Sequence, residues 1–100
     1  MLSVIRDFTD SGTEDVFNGR NTKAARSVCP RELWHVAQRK LDQLDSVETL
    51  DELRVPPGNR LEALGADRKG QHSIRVNEQY RICFKWSGQG PTAVGIVDYH

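Results

Sequence analysis

Arg75 and Arg81 flank a short polar loop in a stretch, Gln71 to Trp86, that alternates apolar side chains with polar and basic ones. The chain closes on Asp98, Tyr99 and His100, so an imidazole stands at its last position. Guanidinium groups bind phosphate through a rigid fork of donors, and an imidazole exchanges protons near neutral pH. Cations beside a proton-transfer group make a site suited to phosphate. Asp67-Arg68-Lys69-Gly70 adds two more cations in a turn next to the same stretch.

Strand parity decides which of these groups share a face, because successive side chains point to opposite sides. Ile74 and Val76 must meet the same core as Tyr80, Ile82, Phe84 and Trp86. A three-residue loop, Asn77-Glu78-Gln79, satisfies this by pairing Val76 with Tyr80, Ile74 with Ile82 and Arg75 with Arg81. A two-residue loop would put Val76 opposite Arg81 and mix the faces. With the longer loop, Ser73, Arg75, Arg81, Cys83 and Lys85 fall on the face away from the helices. Arginines directly opposite each other repel by up to about 1 kcal/mol, a penalty that a bound anion would remove. The alternative is a sheet face that is basic without purpose. For His100 the alternative is a frayed terminus, although Val94-Gly-Ile-Val97 runs straight into Asp98-Tyr99-His100 and predicts an ordered end.

The elements that must hold this hairpin precede it. Leu2 to Phe8 reads as a first strand. Thr13, followed by Glu14 and Asp15, reads as the start of a short helix that Gly19 closes, and 18–26 as an exposed connection. Pro30 suits the first turn of the main amphipathic helix, in which Leu33, Ala37, Leu41 and Leu44 recur at helical spacing. Trp34 and His35 lie on that helix, Trp34 toward the core and His35 partly exposed. Thr49-Leu-Asp-Glu52 is a capping-box pattern, and Val55-Pro-Pro-Gly-Asn59 turns the chain. Strands are expected at 60–65, 71–77, 80–86 and 93–99. Helices first and strands later predict an α+β domain: one antiparallel sheet with the N-terminal helices packed on one face.

One hundred residues, 37% of them hydrophobic, make one domain with one core, here 1–100. No apolar run reaches the ~20 residues of a membrane span, and Arg6 and Asp7 interrupt the N-terminus where a signal peptide would be apolar, so a cytoplasmic location is expected. Cys29 and Cys83 belong to no paired motif and read as reduced thiols; His35, His72 and His100 lack ligand spacing, so no metal and no cofactor is expected. Formal charge is zero, but residues 1–53 carry seven basic against ten acidic side chains and residues 54–100 seven against four. A basic C-terminal half can bind a polyanion through one face of a neutral protein.

Arg60-Leu-Glu62, the block from Asp67 to Trp86 and the closing Asp98-Tyr99-His100 resemble HigB-type toxins of the RelE/ParE superfamily, and the similarity runs through most of the chain. The resemblance implies a compact RelE-like fold and the toxin of a type II toxin–antitoxin pair. Such toxins enter the ribosome, cleave mRNA without a metal and inhibit growth. The implied partners are a HigA-like helix-turn-helix antitoxin, the ribosome and mRNA, with operator DNA reached only through the antitoxin and no membrane. Position by position, Arg81, His100, Tyr99 and Arg68 match residues tied to RNA binding or cleavage, and Arg75, Lys69, Lys85 and Arg60 are the further RNA-binding candidates. Cleavage by RNA's own 2′-hydroxyl needs a proton acceptor, a proton donor and charge stabilisation, which His100 and the arginines supply. Gly65 stands where relatives commonly have lysine, and Glu62 where some have histidine. The competing expectations are a ParE-like inhibitor of DNA gyrase with no nuclease activity, a toxin that perturbs ribosome assembly, and a decayed homologue that only binds its antitoxin.

Overall fold

The loop Asn77-Glu78-Gln79 sets the register of the sheet in the computed structural model, which describes residues 4–65 and 70–99. Asn77 Oδ1 accepts the backbone N–H groups of Gln79 and Tyr80 at 2.9 and 2.7 Å, closing the turn with its own side chain. Strands β2 (Gln71–Arg75) and β3 (Tyr80–Ser87) then pair antiparallel with Ile74 opposite Ile82 and Arg75 opposite Arg81, as parity requires. A short β1 (Glu62–Ala63) and a long β4 (Gly90–Asp98) complete an antiparallel sheet of order β1-β2-β3-β4.

Ile74, Ile82 and Ile96 form a continuous row across the inner face, joined by Phe84 and Val94. Helix α3 (Trp34–Leu44) brings buried Ala37, Leu41 and Leu44 to the same core. Each such large side chain stabilises the fold by about 1.5–3 kcal/mol relative to an exposed one. Trp34 packs at the edge of this core and donates its indole N–H to Cys29 O at 3.0 Å; His35 is exposed. Helix α1 (Ser11–Phe17) is tied to β4 by the buried Thr13 hydroxyl, which accepts the Ile96 N–H at 3.0 Å. The result is an α+β domain with its helices on one face of the sheet.

Several boundaries differ from expectation, each for a local reason. Asp10, not Thr13, caps α1: its Oδ1 accepts the Thr13 N–H at 2.6 Å. Part of the expected connection 18–26 is a second helix, α2 (Lys23–Val28), whose cap is Thr22 and whose approach to α1 is made possible by Gly12. Pro30 precedes a single 3-10 turn (Arg31–Leu33), and the α-helix begins only at Trp34. The strand expected at 60–65 is confined to Glu62–Ala63.

The expected first strand reduces, among its described residues, to one parallel bridge between Phe8 and Val94. A bulge in β4 explains this. Cys83 pairs with Gly95 and Lys85 with Thr92, so two residues, Ala93 and Val94, face Phe84 alone. Ala93 takes a left-handed conformation (φ 50°), and its N–H turns outward to Asp7 Oδ1 at 2.5 Å. The segment Val4 to Thr9 is thus fastened to β4 at a few points, with Asp45 Oδ1 accepting the N–H groups of Val4 and Ile5 at 2.9 and 2.8 Å.

Candidate functional site

Arg81 does not stand free on an exposed face: only 9% of its side chain is accessible. It reaches diagonally across β2, where its Nε donates to Ser73 Oγ at 2.7 Å. Its Nη2 donates to the Arg60 carbonyl at 2.5 Å and makes a longer contact, 3.4 Å, with the Ser73 carbonyl. The diagonal reach also relieves the crowding that parity created. Val76 donates to Tyr80 O, which puts the Arg75–Arg81 pair in the close, non-hydrogen-bonded position with Cα atoms about 4.5 Å apart. Turning one guanidinium toward Ser73 draws it from the other without a bound anion.

The carbonyl that receives Arg81 is aimed by a chain of contacts that begins at an exposed capping box and ends on the buried Asn59. Thr49 and Glu52 close a capping box on the 3-10 turn Leu50–Arg54, and backbone N–H groups of Thr49 and Glu48 hold the Glu52 carboxyl below the usual carboxylate range. A second 3-10 turn, Pro57–Asn59, follows a cis Val55–Pro56 bond. Asn59 is fully buried; its Nδ2 donates to Gln43 Oε1 at 2.9 Å and Leu53 O at 3.1 Å, and its Oδ1 accepts from Lys40 Nζ. Burial and then Arg39 pull Lys40 below its ordinary value. The turn ends in Arg60 at φ 46°, ψ 57°, a left-handed conformation that costs a non-glycine residue roughly 1–2 kcal/mol.

Arg60, Glu62, Arg75, Asn77, Glu78, Arg81 and Tyr99 line a cleft of about 420 Å³. The Tyr99 ring, 44% of the residue being exposed, stands 5.6 Å from the Arg81 guanidinium carbon. Tyr99 is held by its backbone N–H, which donates to Gln79 O at 2.7 Å, while Gln79 Nε2 reaches Asp98 Oδ2 at 3.0 Å. The loop that fixes the register therefore also places the aromatic ring. Glu62 approaches Arg81 Nη2 at 4.0 Å with its side chain half exposed, a contact that water screens heavily. Arg60 and Arg75 make no ion pair within that distance among the described residues. Three guanidinium groups against two carboxylates leave the described cleft net positive.

Of the candidates named from sequence, the structure gathers Arg60, Arg75, Arg81 and Tyr99. Lys85 is not brought to them. It is exposed, pairs with Gln71 and Thr92, and lies about 13 Å along β3 from Arg81 at ~3.3 Å per residue. Arg68, Lys69 and His100 lie outside the described residues. Sequence reasoning did not assign Ser73, Asn77, Glu62 and Glu78 to the site. Ser73 was legible as a diagonal neighbour of Arg81 once the register was known, whereas Glu62 needed the fold of the 56–62 segment. Among the described residues no group of three or more His, Cys, Asp or Glu side chains is placed to hold a metal, and no helix is long and apolar enough to cross a membrane.

Residues 6–100 match the family model of the HigB-like toxins, described as the RelE-like toxin of the type II toxin–antitoxin system HigB. The chain is 47% identical to Toxin HigB-1 of Vibrio cholerae serotype O1 over 80 residues, which cover 80% of this chain and 81% of that protein. An uncharacterized protein of Haemophilus influenzae is 43% identical over 60 residues, 60% of this chain and 59% of its own length. With its arginine cleft set on an antiparallel sheet beneath an exposed tyrosine, the chain belongs to the HigB-like family of RelE-like toxins of type II toxin–antitoxin systems.

Proposed function

We propose that this toxin is a ribosome-dependent endoribonuclease that cleaves mRNA and so inhibits translation and growth. The observation that carries the reading is the cleft itself. Arg60, Arg75 and Arg81 line one cleft with a half-exposed Tyr99, a cationic site next to a surface on which a base can stack. Arg81 is pre-oriented by Ser73 and the Arg60 carbonyl, and its Nη1 makes no hydrogen bond with another described residue. A donor fixed before the reaction stabilises developing charge on phosphate without reorganising. In this scheme the 2′-oxygen attacks phosphorus, the P–O5′ bond breaks, and the arginines hold the nonbridging oxygens. His100 and Tyr99 serve proton transfer and stacking, Arg68 adds charge stabilisation, and Lys69 and Lys85 extend the path of the RNA backbone. The chemistry asks for no metal or cofactor.

The protein acts in the cytoplasm, where a HigA-like helix-turn-helix antitoxin neutralises it and carries the pair to operator DNA. Inducing the chain without antitoxin is expected to arrest growth and to leave codon-spaced cuts in translated messages, mapped by 5′-end sequencing. Growth arrest with intact mRNA would remove the nuclease reading. Supercoiling assays with purified gyrase and profiles of ribosomal subunits would then separate a ParE-like inhibitor from a block in ribosome assembly.

A further inference from the structure

Ser73 lies opposite Cys83, one diagonal step from Arg81, and is completely buried. A serine hydroxyl enclosed in a sheet must find a partner, since leaving it unpaired is costly. Here that partner is the guanidinium: Arg81 Nε donates to Ser73 Oγ at 2.7 Å. The second restraint is main chain, the Arg60 carbonyl at 2.5 Å from Nη2. Two acceptors on adjacent nitrogens fix the plane of the guanidinium, whereas either alone would let it swing about the bond. The guanidinium so fixed stands 5.6 Å from the centre of the Tyr99 ring and, among the described residues, leaves Nη1 without a hydrogen-bond partner in a residue that lines the cleft.

We infer that Ser73 is a positioning residue for phosphate binding by Arg81, one half of a clamp whose other half is the left-handed Arg60 backbone. The inference rests on the nuclease reading above and deepens it. Ser73 touches no substrate; it acts by holding Nη1 at one angle to the nonbridging oxygens. Removing its hydroxyl leaves the charge of Arg81 in place, so ground-state attraction for RNA persists while alignment in the transition state is lost.

The test compares the full chain with Ser73→Ala and Ser73→Thr. Single-turnover cleavage on programmed ribosomes should fall roughly 10- to 100-fold at saturation in Ser73→Ala, the size of effect that misplacing a reacting group produces. The half-saturating ribosome concentration should change little, and Ser73→Thr, which keeps an oxygen, should recover most of the rate. An independent reading comes from the Arg81 Nε–H resonance of the labelled protein: its solvent exchange should quicken in Ser73→Ala. Thermal melts identify a variant that fails to fold, and the other variant then decides. A parental rate in folded Ser73→Ala, or slow Nε–H exchange in it, overturns the inference. If the parent chain itself cuts no message, the proposed function falls. The clamp is then judged by Nε–H exchange alone, where exchange in folded Ser73→Ala as slow as in the parent would refute it.

Discussion

Replacing Arg81 by Ala should cost stability as well as activity, and the structure sets the size of the loss. The substitution removes two well-formed bonds from a buried guanidinium, to Ser73 Oγ at 2.7 Å and Arg60 O at 2.5 Å. Hydrogen bonds to charged groups contribute about 1.5–3 kcal/mol each, and Ser73 Oγ would be left enclosed without a partner. Against this stand the relief of repulsion with Arg75, up to about 1 kcal/mol, and the release of a guanidinium from burial. The half-exposed Glu62 contact at 4.0 Å adds almost nothing. The balance is a loss of about 3 kcal/mol. For a domain of this length each kcal/mol moves Tm by roughly 4–8 °C, so Tm should fall by about 12–24 °C. Calorimetry or circular dichroism of the isolated protein measures it. Arg81→Lys should fall between, because an ammonium can satisfy one acceptor but cannot span both. A Tm for Arg81→Ala within about 3 °C of the parent would show that the bonds to Ser73 and Arg60 are not structural, and the clamp argument would fail with it.

Glu62→Gln removes a carboxylate from the arginine cleft and should tighten binding of single-stranded RNA while steepening its salt dependence, read by fluorescence anisotropy at several ionic strengths; unchanged binding would mean that RNA does not use this cleft. Gly12→Ala should separate α1 from α2, because a Cβ there would stand 2.6 Å from Val28 Cγ1 and closer still to the Ala24 carbonyl; a loss of about 1–3 kcal/mol in urea unfolding is expected. Burial, and then Glu32, push the Cys29 thiol up to about 11, so the thiolate is scarce below that pH. Alkylation of Cys29 by iodoacetamide at pH 8 should therefore be slow in the folded chain and rise on unfolding, and equal rates by mass spectrometry would contradict its burial.

The sheet was legible because a single constraint, a common apolar face, fixes a hairpin register without reference to anything distant. Arg75 faces Arg81 for that reason alone. What the register could not supply was the direction of a long side chain. Parity puts Arg81 on the outer face, but it does not say that a turn ending at Arg60 folds over that face and buries it. Helix α2 escaped for a similar reason. Lys23–Val28 is too short to be stable by propensity and exists because Gly12 lets it lie against α1. The β-capable residues 2–8 predict a longer first strand than their described part forms, because the bulge at Ala93 in the distant partner leaves no mark on them. Lys85 shares parity with Arg81 but lies too far along β3 to share its cleft, because a face is longer than a site.

The fastening of Val4–Thr9 to β4 bears on the order in which the molecule can be completed. These residues are synthesised before almost everything they touch: Arg6 waits for Pro91, and Thr9 and Phe8 for Val94, just as Thr13 of α1 waits for Ile96. The β2–β3 hairpin can close from local contacts, whereas pairings between ends so far apart in sequence form late and slowly. Until β4 has emerged, α1 and α3 have only part of their core, and Tyr99 is not yet present to complete the cleft. A growing chain therefore carries Arg60, Arg75 and Arg81 before Tyr99 joins them, and the cleft they line is complete only once β4 has been made and paired.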